Sequence, residues 1–176
     1  VTNRSGNFEN SRNILAFMDL GENSDHIYNE LIDSTIIEIP ANNTNGLYEI
    51  LTNELIAIRN ISQASSELSE AGFNSGIDYE KVQNARLLSS SEYSFHPTLG
   101  YISLNSRLNS DEVLAIAFEY ENTADGKIYQ VGEFSTEGPV APEALFLKLL
   151  KPTTLSTDLP TWDLMMKNIY SFNAYQ

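Results

Sequence analysis

Short apolar runs separated by polar turns dominate the chain, and they predict a mainly β protein. The predicted strands are residues 13–20, 35–39, 82–88, 92–95, 101–104, 112–121, 127–134 and 145–150. Residues 112–121 and 127–134 flank the polar turn 122–126, which contains Asn, Asp and Gly. Alternating arms around such a turn are typical of a β-hairpin, and this is the strongest hairpin prediction in the sequence.

Alternation within the first arm of this hairpin also predicts which side chains face the core. The larger side chains, Leu114, Ile116, Phe118 and Tyr120, share one face, and the smaller set, Val113, Ala115, Ala117 and Glu119, shares the other. We expect the larger set to face the core, with Phe118 as a core residue. The smaller set is then available to pack against another layer.

The apolar spacing changes to three and four residues between positions 47 and 71, as in a helix with one apolar face. The set is Leu47, Leu51, Leu55, Ile58, Ile61, Ala64, Leu68 and Ala71. Gly72 follows as a C-terminal stop. Polar residues at the centre of the segment (Asn60, Ser62, Ser65 and Ser66) leave open whether it forms one helix or two.

A short final helix is predicted beyond the polar connector 152–160. Its apolar side is formed by Trp162, Met165, Met166, Ile169 and Tyr170. Together the elements predict an α+β protein that is mainly β: an antiparallel β-sandwich-like domain with a helical insertion and a short C-terminal helix.

The chain of 176 residues is taken as a single soluble domain. Within it, 1–11 is a polar lead-in, either loose or a flat edge segment, and 152–176 holds the connector and the C-terminal helix. Because the chain begins at Val1 and not at Met, we expect it to be excised from a much larger protein. No apolar run approaches the roughly 20 residues of a spanning helix, so we expect no direct membrane insertion by this segment.

The net charge of the chain limits the kinds of macromolecule that we expect it to bind. Ten basic and 24 acidic residues give a net charge of −14, which argues against binding to nucleic acid or to an anionic membrane surface. There is no cysteine, which excludes disulfides, thiolate metal sites and cysteine catalysis.

The few residues capable of catalysis form no recognisable site. The two histidines are His26, in an acidic stretch, and His96, in a turn before Pro97. Serines at 89–91 supply hydroxyls, but the chain has no Gly-x-Ser-x-Gly elbow. An ordinary hydrogen bond in a turn is the simpler interpretation of His96. The sequence therefore predicts no catalytic and no cofactor-binding residue, and no cofactor.

The carboxylates and aromatic residues are candidates for metal, substrate or sugar binding. Residues 111–137 hold seven acids against one base, Lys127, but alternation places Glu119 and Glu121 too far apart to share a calcium ion easily. A solvated acidic face is expected and no metal-binding residue is predicted, but whether the run 111–137 binds calcium is open at this point. Paired carboxylates also allow a glycosidase, but nothing marks one pair as special. Tyr93, Phe95 and Tyr101 lie around one predicted hairpin and are either a sugar-stacking platform or the rim and core of a sandwich.

Ten blocks, in order along nearly the whole chain, resemble the SprA family, called Sov in some species. They are residues 2–6 (TNRSG), 11–14 (SRNI), 17–22 (FMDLGE), 78–88 (DYEKVQNARLL), 91–97 (SEYSFHP), 99–105 (LGYISLN), 111–115 (DEVLA), 129–134 (YQVGEF), 147–151 (LKLLK) and 162–170 (WDLMMKNIY). No block is a catalytic signature, and the helical segment lies outside them.

The resemblance implies a setting. SprA-like proteins are very large outer-membrane β-barrels of Bacteroidota that export folded cargo in type IX secretion and gliding motility. The implied partners are other segments of the parent barrel, plug or PorV-type proteins and secreted cargo. The implied location is outer-membrane-associated, with the extracellular side favoured over the periplasm. The expected function is a non-enzymatic structural and interaction module that caps, shapes or gates the pore or docks a partner.

Two other functions remain as alternatives. The first is a carbohydrate-binding or adhesin-type β-sandwich module of a cell-surface protein. The second is a hydrolase that uses carboxylates. Which side of the membrane the domain faces, its partner-binding surface and its oligomeric state are open at this point.

Overall fold

The structure, a computed structural model, describes residues 1–4, 9–20 and 39–166. The strands in this part are β1 (Arg12–Phe17), β2 (Tyr79–Ala85), β3 (Tyr93–His96), β4 (Tyr101–Leu104), β5 (Leu114–Ile116), β6 (Phe118–Asn122), β7 (Lys127–Val131) and β8 (Leu145–Lys151). The helices are α1 (Leu47–Asn53), α2 (Ala64–Glu70) and α3 (Thr161–Leu164), with a 3-10 helix at Ile56–Arg59. The predicted mainly β, α+β class is confirmed.

Some predictions fall outside this part of the chain. They are the strand 35–39 apart from Ile39, and the end of the C-terminal stripe at Ile169 and Tyr170. Among the described residues, none of the helices has the length and apolar character needed to cross a membrane.

The centre of the fold is a four-stranded sheet in the order β2-β1-β8-β5. β1 and β8 run parallel, with Ile14 opposite Leu145 and Phe17 opposite Lys148, and the two outer strands pair antiparallel to them. Both central strands are apolar at successive positions and mostly buried. This pattern is typical of strands covered on both faces.

A helical layer covers one face of this sheet. The Phe17 ring packs against Phe73 and Phe146 with centroids 6.3 and 5.7 Å apart, and Tyr48 of α1 packs against Phe146 at 6.4 Å. The buried positions of the layer follow the predicted apolar stripe: Leu47, Leu51, Ile58, Ala64 and Leu68. The segment forms two α-helices with the 3-10 helix between them, which settles the question left open by its polar centre. Gly72 ends it at φ 90°, as predicted.

Two residues of the predicted lead-in 1–11 are firmly attached. Val1 exchanges backbone hydrogen bonds with Arg86, just beyond β2, and Thr2 bonds to Val113, just before β5. The N-terminal residues therefore bridge the two outer strands of the sheet, so a loose lead-in is wrong for Val1 and Thr2.

The predicted hairpin is formed, but its first arm is divided. β5 pairs with β8 in the main sheet, whereas β6 pairs with β7 across the predicted turn. Ala117 separates the two strands. Gly132 follows β7 at φ 80°, and a Cβ there would lie only 3.1 Å from the Cα of Ala117. The chain therefore changes partner at a point where two backbones approach closely.

This break makes the predicted side-chain phase wrong for the first half of the arm. Val113 is buried in the core, whereas Leu114 and Ile116 are only half-buried and line, together with Ala115, a cavity described below. Phe118 lies beyond the break, half-buried and stacked against Tyr120, and is not a core residue. A strict alternation across ten residues requires one continuous strand, and Ala117 interrupts it.

Alanine at Gly132 should destabilise the fold more than alanine at Gly126. Both glycines have positive φ (80° and 67°), but a Cβ at Gly126 would meet nothing within 4 Å. Each substitution bears the cost of a left-handed backbone, and Gly132→Ala adds a collision with Ala117 worth about 1–3 kcal/mol. Denaturant unfolding of the two variants measures the difference. Equal losses would show that the backbone approach at Ala117 is not tight.

Candidate functional site

A bidentate ion pair joins the helical layer to the strands. Arg59, the last residue of the 3-10 helix, places its two Nη atoms 2.6 Å from the two carboxylate oxygens of Glu133, which follows β7. The side chains are only 13% and 6% exposed. Paired planar groups of this kind form the strongest charge-assisted hydrogen bonds in proteins.

Other groups complete the bonding of both partners. The Tyr48 hydroxyl donates to Glu133 Oε1 at 2.6 Å, and the Phe146 amide donates to Oε2 at 2.8 Å. Arg59 also donates to the Ala144 carbonyl at 2.9 Å, and its guanidinium lies 3.5 Å above the Phe146 ring. Each oxygen of Glu133 thus accepts two hydrogen bonds. A carboxylate whose two oxygens both accept two hydrogen bonds is suited to joining secondary-structure elements and not to taking a proton from a substrate.

Arg59, Glu133, Tyr48 and Phe146 form one part-buried cluster, and its surroundings change the pKa of Tyr48. Burial, followed by the hydrogen bond to Glu133, raises the pKa of the Tyr48 phenol to about 12. A cavity of about 340 Å³ adjoins the cluster and is lined in part by Gln130 and Glu137.

The sequence-predicted interpretation of His96 agrees with its surroundings. His96 Nδ1 accepts a hydrogen bond from the Leu99 amide at 3.3 Å, and its ring stacks on Tyr101 with centroids 5.2 Å apart. Ser89 instead bonds to Ser91 and Glu92. The structure therefore brings His96 to the tip of a hairpin and leaves these serines in a separate loop. His26 lies outside the described residues.

The acidic run 111–137 is spread over several elements. Glu119 and Glu121 are exposed on β6, opposite Gln130 and Ile128. Across residues 1–4, 9–20 and 39–166, no three His, Cys, Asp or Glu side chains are grouped as metal ligands. The prediction that the chain holds no metal, cofactor or catalytic residue stays a prediction.

The three aromatics weighed as a stacking platform do not share a face. In the β3–β4 hairpin, Tyr93 and Phe95 lie on one face by strand alternation. His96 and its cross-strand partner Tyr101 lie on the other face. A different aromatic row appears on the β6–β7 hairpin, where the Tyr120 ring stacks on Phe118 at 6.3 Å and on Tyr129 at 5.8 Å. Tyr120 and Tyr129 are cross-strand partners, which the sequence signals only if the hairpin register is known.

A larger cavity, of about 510 Å³, lies against the sheet face opposite the helices. Ile14, Leu145 and Leu147 line it, and they alternate with Leu15 and Phe146 on the opposite face of the sheet; Ile14 and Leu145 are also part of the buried core. The remaining apolar lining includes Leu88, Ile102, Leu104, Leu114, Ile116, Phe134 and Leu150. Two arginines, Arg12 and Arg86, also border it.

Glutamine at Glu133 should destabilise the protein strongly, because it leaves Arg59 buried without a counter-charge. Losing one partner of a buried pair costs about 3–5 kcal/mol. Glu92→Gln is a matched control, since Glu92 also accepts from an arginine, a backbone amide and a hydroxyl, but at an exposed site. The free energy of unfolding should fall far less in the control. Similar losses would show that burial does not set the strength of the Arg59–Glu133 pair.

Tyr48 should ionise later than an ordinary tyrosine. Its pKa in the folded protein, about 12, lies above the usual 10, so its contribution to stability is complete below pH 10 and is lost as the pH rises towards 12. An alkaline titration of phenolate absorbance should show a late component that is missing in Tyr48→Phe. Identical titration curves for the two proteins would contradict the Tyr48–Glu133 hydrogen bond.

No family model matches the chain, and no curated protein matches it either.

Proposed function

We propose that the chain is a non-enzymatic structural and interaction module of a type IX secretion outer-membrane translocon. In this role it serves protein export and gliding motility by capping, shaping or gating the pore or by docking a partner. Support for the translocon setting comes from the ordered blocks that resemble SprA-like proteins. Support for an interaction role comes from the two hairpins.

The observation that carries the proposal is a pair of ordered hairpins outside the main sheet. In the β3–β4 hairpin, Phe95 and Leu99 are 57% and 71% exposed, although four residue pairs and the His96–Tyr101 stack hold the hairpin in register. In the β6–β7 hairpin, Ile128 is 70% exposed. Isolated two-stranded hairpins are marginally stable in water, and exposed apolar side chains on them are typical of protein contact sites.

The acidic character of the chain complements these apolar points. A net charge of −14 keeps an exposed surface from binding passing polypeptides non-specifically. Contact would then be favoured at exposed apolar positions, among them those on the two hairpins. Partners of this surface are other segments of the parent barrel, plug or PorV-type proteins and cargo. The proposed location is the outer membrane, with its extracellular side favoured.

Serine at both Phe95 and Leu99 in the full parent protein should reduce cargo secretion and gliding. The expected cause is loss of an apolar contact, since neither side chain is buried in the domain. Ile56→Ser is the matched control, because Ile56 is 65% exposed but lies on the helical layer. Parent abundance and the melting temperature of the isolated domain should be unchanged in both variants.

Two results would contradict the proposal. The first is normal export in the Phe95 and Leu99 variant, which would remove the hairpin from the docking surface. The second is a parent reading frame whose flanks do not encode long alternating strands, which would remove the translocon setting.

Carbohydrate binding is the second candidate, and the aromatic row on β6 and β7 favours it. Phe118, Tyr120 and Tyr129 present partly exposed rings at interplanar angles of 28° and 26°. Both tyrosine hydroxyls donate hydrogen bonds: Tyr120 to the Pro40 carbonyl and Tyr129 to Asp125. A glycan array separates the candidates: binding that Tyr129→Ala abolishes would favour the carbohydrate function.

A further inference from the structure

The 510 Å³ cavity has the size and lining of a site for an aliphatic chain. Small-molecule sites span about 300–1,000 Å³ and are mostly apolar with a few placed polar groups. Here the walls come from the central strands (Ile14, Leu145 and Leu147) and from the β3–β4 hairpin (Ile102 and Leu104). These walls offer aliphatic side chains along most of the lining, so the matching ligand is an aliphatic chain and not a polar molecule.

The two arginines of the lining lie close together, because Arg12 is opposite Ala85 in the sheet and Arg86 follows Ala85. Their charges are used differently. Arg86 forms an ion pair with Glu92 at 2.9 Å. Arg12 donates from Nη2 to the Pro139 carbonyl, a neutral acceptor. Among the described residues, no carboxylate forms an ion pair with Arg12.

Arg12 also carries a buried donor without an acceptor. Its Nε is enclosed and makes no hydrogen bond. Natural proteins rarely leave a buried donor of this kind unpaired. Glu133 borders the same cavity but accepts from Arg59, Tyr48 and Phe146, and is not available to Arg12. The Nε itself is closed to a ligand, so what Arg12 offers the cavity is a positive charge that no carboxylate of the described residues pairs.

We propose that this cavity binds an aliphatic carboxylate, with the chain on the apolar wall and the carboxylate at Arg12. The ligand supplies the negative charge that the Arg12 guanidinium lacks, and a carboxylate is the usual partner of a guanidinium. This site is independent of the translocon role proposed above, and a result on one leaves the other standing.

The net charge of −14 repels any anion at long range, whereas Arg12 attracts one at short range. Whether a carboxylate binds depends on the balance between this repulsion and this attraction. At physiological ionic strength the Debye length is about 8 Å, and charges beyond that distance are largely screened. The contact with Arg12 is direct and partly enclosed, where screening is weak. The local attraction therefore dominates, and binding should strengthen as salt is raised from low to physiological concentration, because the long-range repulsion is the part that salt removes.

Calorimetric titration of the whole chain with four probes, each below its micelle concentration, tests the site. Dodecanoate should bind one molecule per chain, about tenfold tighter than dodecanol, which has the same tail without the charge. Butyrate, which has the head without the tail, should show no measurable binding. Dodecyltrimethylammonium, with the opposite charge, should bind no better than dodecanol.

Two variants with matched controls locate the site. Arg12→Met keeps the aliphatic stem and should abolish the preference for dodecanoate over dodecanol, whereas Arg107→Met, an equal charge change at an exposed position, should preserve it. Ser135→Trp, at an exposed lining position, should obstruct the cavity and weaken both ligands. Its neighbour Thr136→Trp, exposed and outside the lining, should not. If Arg12→Met does not fold, the Ser135 and Thr136 pair still decides.

The proposal is overturned by any of three results. Equal affinity for dodecanoate and dodecanol in the unaltered chain would remove Arg12 as the head-group site. Unchanged binding in Ser135→Trp would place the ligand elsewhere. Absence of binding by dodecanoate would show that the cavity does not take an aliphatic carboxylate.

Discussion

The arrangement of the molecule depends on the buried pair of Arg59 and Glu133. Arg59 belongs to the helical layer, Glu133 follows the β6–β7 hairpin, and Phe146, beneath the guanidinium, belongs to β8. The Glu133 amide also donates to the Phe146 carbonyl at 2.9 Å. Because enclosing two charges is costly, the pair is stable only when all four of the donors to Glu133 are in place. This condition fixes the hairpin against both the sheet and the helices, and hence one border of each cavity.

Features with a local cause could be predicted from the sequence. Strand β8, the stop at Gly72 and the turn between β6 and β7 follow from apolar runs, glycine conformation and turn chemistry within a few residues. The division of residues 112–121 into two strands could not be predicted. Alternation of apolar and polar residues indicates the two faces of a strand but does not indicate which strand pairs with it. The change of partner at Ala117 depends on the close approach of Gly132, 15 positions later in the chain.

The same limit applies to the candidate sites. Histidine, serine and carboxylates that are neighbours in sequence proved to be hairpin and loop residues, whereas Arg59 meets Glu133 across 74 positions and Arg12 meets Pro139 across 127. One signal was present: Arg59 is the only basic residue between 47 and 71, in a segment whose other charged residues are all acidic. A single cation in a predicted buried helix indicates a partner elsewhere, but the sequence offers 24 carboxylates and does not identify which one.

The parallel pairing of β1 with β8 constrains when this protein is able to fold. Ile14 has to find Leu145, so the central sheet cannot assemble until the chain has been synthesised as far as Leu145. Contacts between such distant positions carry a large loop-closure entropy and slow the search for the native state. During that delay the apolar β1 segment would be without its neighbour and open to association with other chains. In this topology β1 therefore stays without its central neighbour until β8 has been made.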